Sequence, residues 1–271
     1  MLLYREAPAM PPLSAILITY NEERDLPQAL ESLNGVADEV IVVDSGSTDR
    51  TCEIAKRSGA QVAEREFTNF GDQKNFAASL AANDWVFSLD ADEVLSPELR
   101  ASLGEWKLGQ PAHSAYEVNR RTNFLGGWIR HSGWYPEYHV RLYRRSQARF
   151  KGVLHETVEC DERVGRIDGD LLHFTVRTLE EHNAKLDAFT NKAAEDLYAR
   201  GRRRWRFSML FGAPWTVLRV FLFKLGFLDG YRGAIIAWTA GRYVWLKYSK
   251  LGVLLRGGKL QHREWPQAGD A

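Results

Sequence analysis

Apolar and polar positions alternate in blocks along the first hundred residues. The run Leu13-Ser14-Ala15-Ile16-Leu17-Ile18 has the length and composition of a buried strand. Residues 40–43 and 85–89 have the same character, and 61–64 reads as a further strand. Between them, apolar residues recur at helical spacing over 26–33, over the stretch that Gly59 stops, and over 73–82. Strands alternating with helices at this spacing predict βαβ units, a parallel sheet and right-handed crossovers.

Three of the strands run into polar clusters: Thr19-Tyr20-Asn21-Glu22, Asp44-Ser45-Gly46-Ser47-Thr48-Asp49 and Asp90-Ala91-Asp92-Glu93. Ligands of such sheets bind beyond the carboxyl ends of the strands, so the clusters are expected to converge on one cleft. Asp90 and Asp92 are two apart and share a face in an extended chain. Two clustered carboxylates repel unless a cation lies between them. A hard divalent metal holding a diphosphate suits them. Asp44 suits a charge-assisted hydrogen bond to a base or ribose, with a helix cap as the alternative. Ser45, Gly46 and Ser47 let the chain turn tightly beside a ligand, or simply turn. Lys74 either reaches a phosphate or is an ordinary surface lysine. Glu93 either orients Asp92 or caps the next helix.

The pattern becomes irregular after residue 115. Strands are expected over 116–121 and 138–144, and loops at Gly126-Gly127-Trp128 and Gly133-Trp134-Tyr135-Pro136. A long helix is expected over 179–200, then two more over 205–227 and 230–254. Arg219, Lys224, Arg232 and Arg242 interrupt the last two, so neither reads as a clean membrane span.

Composition sharpens this division. The chain has 271 residues, 45% of them hydrophobic, with nine tryptophans and a net charge of +1. From Arg200 to Arg263 there are fourteen Lys/Arg and a single acid, Asp229, so an acidic body carries a basic, aromatic segment. That combination points to interfacial helices on an anionic membrane surface, or to a basic subdomain packed on the acidic body. It is too apolar for a surface that tracks nucleic acid. Two cysteines are too few for a disulfide framework, which points to a reducing compartment. The opening residues are too short for a signal peptide before Pro8, Pro11 and Pro12.

Three stretches carry a family resemblance: residues 18–23, the run Val42-Val43-Asp44-Ser45-Gly46-Ser47-Thr48-Asp49-Arg50-Thr51, and Leu89-Asp90-Ala91-Asp92-Glu93. They resemble the inverting family 2 glycosyltransferases of the nucleotide-sugar-binding A type. Residues 121–126, 133–136, 154–156 and 226–230 extend the resemblance toward the lipopolysaccharide inner-core β-glucosyltransferases. The resemblance implies an α/β GT-A fold, a Rossmann-like parallel or mixed sheet with a basic helical C-terminal extension. It divides the chain into an arm (1–12), a nucleotide-sugar half (13–105), an acceptor half (106–178), a membrane-associating helical segment (179–263) and a tail.

The implied donor is a UDP-sugar, with Thr19, Tyr20, Asn21, Glu22, Asp44, Ser45, Gly46, Ser47, Lys74, Asp90 and Ala91 around it. Mg²⁺ or Mn²⁺ is held by Asp92 and Asp90, with His173 either completing the shell or serving as a buried structural histidine. The implied acceptor is an anionic glycolipid, an inner-core heptose, at the cytoplasmic face of the inner membrane. A polyprenyl-phosphate or exopolysaccharide acceptor is the alternative. A non-catalytic nucleotide-sugar-binding or scaffold module is a weaker one. Inversion needs a general base at the acceptor hydroxyl. The Asp/Glu-Asp pair of many relatives is lacking, and Glu156 takes its place, with Glu137 and Asp161 as rivals. His155 is the base, orients Glu156, or is structural. Trp128, Trp134 and Tyr135 suit stacking on sugars or ordinary packing. Arg120, Arg121, Arg130, Arg141, Arg144 and Arg145 suit acceptor phosphates or surface ion pairs.

Overall fold

Alternation along the strands decides which side chains reach which face of the sheet. In β1 (Leu13–Thr19), Leu13, Ala15 and Leu17 enter one core and Ile16 the other. In β2 (Glu39–Asp44), Val42 faces the first core, and Ile41 and Val43 the second. In β4 (Trp85–Ser88) the split is Trp85 and Phe87 against Val86. Strands buried on both faces read as continuous apolar runs, as these do. The computed structural model describes residues 10–152, 156–160 and 163–261.

Helix α1 (Leu26–Leu33) closes the first core with Leu26, Ala29, Leu30 and Leu33. Helix α2 (Thr51–Arg57) leads to β3 (Gln61–Glu64). Helix α3 (Phe70–Leu80) lies on the second core through Ala77 and Ala78. Its N-cap, Asn69, accepts from Asp72 N at 2.9 Å. Helix α4 (Pro97–Leu108) is capped by Ser96, whose hydroxyl accepts from Leu99 N at 3.1 Å. Glu93, expected as an alternative cap there, starts the short strand β5 (Glu93–Leu95) instead.

The remaining strands are β6 (Ala115–Phe124), β7 (Gly127–Trp128), β8 (Tyr138–Arg144), β9 (Ala148–Lys151), β10 (Thr157–Cys160) and β11 (Gly165–Val176). The large sheet has the order β3-β2-β1-β4-β8-β6-β11-β5, with β7 against the end of β6. β1 pairs in parallel with β2 and β4, and β2 in parallel with β3. β8 is antiparallel to β4, and β5 to β11. β9 and β10 form a separate antiparallel pair. The parallel/mixed sheet and the helical C-terminal extension expected from the sequence are both present. The expected loop at Gly126-Gly127-Trp128 is instead a tight turn into β7, with Leu125 and Gly126 at φ 49° and 72°.

Two compact units are distinguished, Met1–Arg120 with Glu137–His173, and Arg121–Pro136 with Phe174–Ala271. The second has its own core of Phe124, Ile129, Val176, Val220, Ile236 and Ala237. Its helices are α5 (Leu179–Ala199), α6 (Trp205–Phe207), α7 (Ala213–Leu218) and α8 (Gly230–Leu254). Lys250 ties α8 to α5, reaching Asp187 Oδ1 at 2.7 Å and Thr190 Oγ1 at 2.8 Å. Gly233 and Gly241 admit close packing, for a Cβ at either would lie 1.8 Å from Gly226 O or 2.3 Å from Val217 Cγ2.

The uniform helix expected over 205–227 is not one. π-helical turns at Ser208–Gly212 and Arg219–Phe223 widen it, and a 3-10 turn, Gly226–Asp229, follows. Pro214 has no N–H to close onto Leu210, which accounts for the first widening. Leu225 at φ 52° ends the segment. Among the described residues no single helix is long and apolar enough to cross a membrane. The pair Trp205–Phe223 and Gly226–Leu254, bent by 71°, reaches that length and composition together.

Candidate active site

The parallel register sets Thr19 beside Asp44, and β4 runs parallel on the other side of β1, so three strand ends share one sheet edge. The first two loops are knitted together. Asn21, at φ 52°, donates its backbone N–H to Ser47 Oγ at 2.8 Å, and its side-chain oxygen accepts from Thr48 N at 2.8 Å. Glu22 N reaches Thr51 Oγ1 at 2.7 Å and Glu23 N reaches Asp49 Oδ2 at 3.0 Å.

Asp44 is buried and engaged on both oxygens. Oδ1 accepts from Thr19 Oγ1 (2.9 Å) and Ser47 Oγ (2.5 Å), and Oδ2 from Gly46 N (2.9 Å) and Ser47 N (2.7 Å). The carboxylate therefore builds the turn after β2, and it does not cap α2, which starts only at Thr51. Gly46 stands at φ 89° with nothing near a would-be Cβ, so the backbone angle alone demands glycine. Ser45 accepts from Gln73 Nε2 at 3.1 Å. Tyr20 is half-buried at the end of β1. Ala91 is buried in the first core, so its side chain packs away from solvent.

The third cluster departs from simple strand alternation, because β4 ends at Ser88 and residues 90–92 form a turn. Asp90 Oδ1 lies 2.8 Å from Lys74 Nζ, and Oδ2 lies 2.9 Å from Arg141 Nη2. Burial raises the Asp90 carboxyl, but Arg141 and Lys74 outweigh it and hold it well below the usual range. Glu93 is fully buried with Oε1 2.5 Å from the same Arg141 nitrogen, and its Oε2 accepts from Asp90 N at 3.1 Å. Burial pushes the Glu93 carboxyl up against Arg141's opposing charge.

Asp92 faces a different partner, with Oδ2 3.1 Å from His173 Nε2. Burial lowers the His173 ring, yet the Asp92 charge and hydrogen bond prevail and raise it. Burial, then the charge of Asp92, push the half-buried Glu22 up to about 8. Of the expected metal set, Asp90 is engaged by Lys74 and Arg141, and Asp92 by His173. Among the described residues no group of three or more His, Cys, Asp or Glu converges on a metal position. Asp92 and His173 remain as a carboxylate and an imidazole side by side. A magnesium-type ion bound through one carboxylate and substrate phosphates fits Asp92, with the neutral imidazole beside it a donor to softer divalent ions.

Lys74 is a buried bridge rather than a surface lysine. The same ammonium that holds Asp90 lies 3.2 Å from Glu156 Oε1. Gly71 makes room for this arrangement, since a Cβ there would lie 3.0 Å from Gly152 O and 3.7 Å from Glu156 Cβ. His155 and Asp161 lie outside the described residues. Glu137 is paired with Arg120 at 2.9 Å and His139 at 3.2 Å. Burial opposes, but those partners bring its carboxyl down to about 2, which makes it a poor proton acceptor.

The residue whose role the sequence reading missed is Arg141. Its signal was present: a charge inside the run Val140-Arg141-Leu142-Tyr143, buried throughout its second half. An arginine placed there requires buried carboxylate partners.

A family signature described as Glycosyl transferase family 2 matches residues 14–161, more than half of the chain. The chain belongs to that family. Within this glycosyltransferase family, an uncharacterized member from Rickettsia typhi is 30% identical over 239 residues, covering 83% of this chain and 82% of the relative. The lipopolysaccharide core biosynthesis glycosyltransferase LpsC of Rhizobium meliloti is 30% identical over 253 residues, covering 89% and 92%. Among solved structures, glucosyl-3-phosphoglycerate synthase of Mycobacterium tuberculosis, in complex with Mn²⁺, UDP and glucosyl-3-phosphoglycerate, is 26% identical. That match covers 42% of this chain and 44% of the other, with a TM-score of 0.35.

Proposed function

We propose that this glycosyltransferase moves a glucosyl residue from UDP-glucose to a heptose of the lipopolysaccharide inner core, with inversion, at the cytoplasmic face of the inner membrane. The observation that carries the reading is the charge arrangement after β4. Lys74 and Arg141 fix Asp90, while Asp92 and His173 stand apart as a two-donor site. The similarity to LpsC over most of both chains supports the acceptor class.

In this reading Asn21 and Glu22, pinned by the β2–α2 loop, border the nucleoside. Asp92 and His173 would hold Mg²⁺ or Mn²⁺, which when bound neutralises charge on the departing diphosphate. Asp90 is a fixed anion that keeps Lys74 in place. Glu156, with one oxygen anchored by Lys74, takes the proton from the acceptor hydroxyl as that oxygen attacks the anomeric carbon. The new C–O bond forms opposite the bond to UDP, which leaves with the bonding pair. The basic helical segment confines the enzyme to the surface that carries its acceptor.

The test is release of UDP from a panel of UDP-sugars, with Mn²⁺, Mg²⁺ or chelator, and with heptose-terminated truncated lipopolysaccharide. Metal-dependent release from UDP-glucose, stimulated by that acceptor, is expected. Release stimulated by polyprenyl phosphate instead would replace the acceptor. An absence of turnover with every UDP-sugar would remove the donor assignment.

A further inference from the structure

The second unit contains a groove of 870 Å³ that no step of the transfer uses. It lies between the α6–α7 segment and α8, and its walls are almost wholly hydrocarbon. Leu210, Leu218, Leu222, Trp238 and Trp245 line it. All five are exposed, Trp238 to 67% and Leu210 to 54%. Trp238 and Trp245 are seven residues apart and so occupy one face of α8. A contiguous exposed apolar wall of this kind marks an interaction surface.

We propose that this groove takes a hydrocarbon chain of an anionic membrane phospholipid. Three observations select that occupant. The bent pair of helices that forms the groove is the segment whose combined length and apolar composition suit a bilayer. Exposed tryptophans flanking an apolar wall suit the boundary between headgroups and acyl chains. Charge decides against a second copy. The stretch from Arg200 to Arg263 carries fourteen Lys/Arg and one acid. That acid, Asp229, is turned inward onto Arg130 N, His131 N and Ser132 Oγ. Arg242 is the one charged residue in the groove lining, so a two-fold contact between copies through this face sets cation against cation. Anionic headgroups supply that counter-charge to exposed Arg206, Arg219 and Lys224 while a chain fills the groove. The volume lies in the range of sites that enclose small apolar ligands.

This inference rests on the membrane reading above, and the experiment separates the two. The full chain is mixed with phosphatidylglycerol vesicles, plain or brominated in the acyl chains, and with phosphatidylcholine vesicles. Tryptophan emission and co-sedimentation are both read. The expected result is co-sedimentation with phosphatidylglycerol and quenching by the brominated chains, most of it lost in W238F/W245F. The double substitution Leu218→Asp with Leu222→Asp should abolish quenching and weaken vesicle binding by about tenfold or more, as expected for lost apolar insertion. UDP-sugar binding should be unchanged, which shows the variant is folded. Co-sedimentation without quenching, or quenching indifferent to these substitutions, overturns the groove and leaves a basic surface contact. Equal binding to phosphatidylcholine overturns the anionic lipid. Binding to neither vesicle overturns both readings. A lipid-free dimer that Leu222→Asp dissociates assigns the groove to a second copy.

Discussion

Lys74 Nζ lies 2.8 Å from Asp90 Oδ1, inside the protein rather than on its surface. The same ammonium reaches Glu156, so α3 links the turn after β4 to the segment before β10. Lys74→Met removes a buried partner from two carboxylates. Breaking such a pair costs about 3 kcal/mol, read as a fall in the urea midpoint. The kcat should fall further than the donor KM rises, because Glu156 loses its anchor. A rise in donor KM alone would return Lys74 to the phosphate role.

Glu156→Gln tests the base directly. The amide keeps the shape and one hydrogen bond to Lys74 but accepts no proton. Transfer should fall by roughly 10²–10⁴-fold, the usual contribution of general base catalysis. Calorimetric affinity for UDP-glucose should stay near the wild-type value. Full activity in this variant would move the base elsewhere.

Glu22 makes stability depend on pH with a definite sign. Its carboxyl is pushed up to about 8, from an ordinary value of 4.5, by burial and by Asp92. Between those values the native state holds a proton that the unfolded chain has released. Stability is therefore fullest below about 4.5, as far as this group goes, and declines as pH rises through about 8. The whole loss is on the order of a few kcal/mol. Glu22→Gln should abolish that decline, so denaturation curves at pH 6 and pH 8.5 should differ less than in the wild type.

Asp229 closes the loop before Trp134. It accepts from Arg130 N at 3.0 Å, His131 N at 3.1 Å and Ser132 Oγ at 2.7 Å. Asp229→Ala leaves these donors without that acceptor, at a cost of about 1–3 kcal/mol for each one that stays buried. Amide exchange at Arg130 and His131 should accelerate, while exchange along β1 and β2 stays as before.

Elements with local causes were legible in the sequence. Helix 26–33, strand 61–64, strand 138–144 and helix 230–254 were bounded as found, because apolar period and turn residues both marked them. Polar clusters at strand ends were also legible, since a parallel sheet must collect them on one edge. What escaped depends on partners far away in sequence. Nothing local to Asp90 announces that β8, some 50 residues on, pairs antiparallel with β4 and brings Arg141 to it. Asp90 and Asp92 do not share a strand face, because the strand stops at Ser88. Pro214 carries the signal of the first break in 205–227, and the sequence reading passed over it.

Arg141 is carried on a strand and Lys74 on a helix, so both cations at Asp90 belong to the folded chain itself. Their charge neither arrives nor departs with anything that binds. The scaffold around the turn after β4 is consequently set by the chain alone, before any substrate is present. For the transfer proposed above, each cycle would begin from the same arrangement, with no reassembly between one sugar and the next.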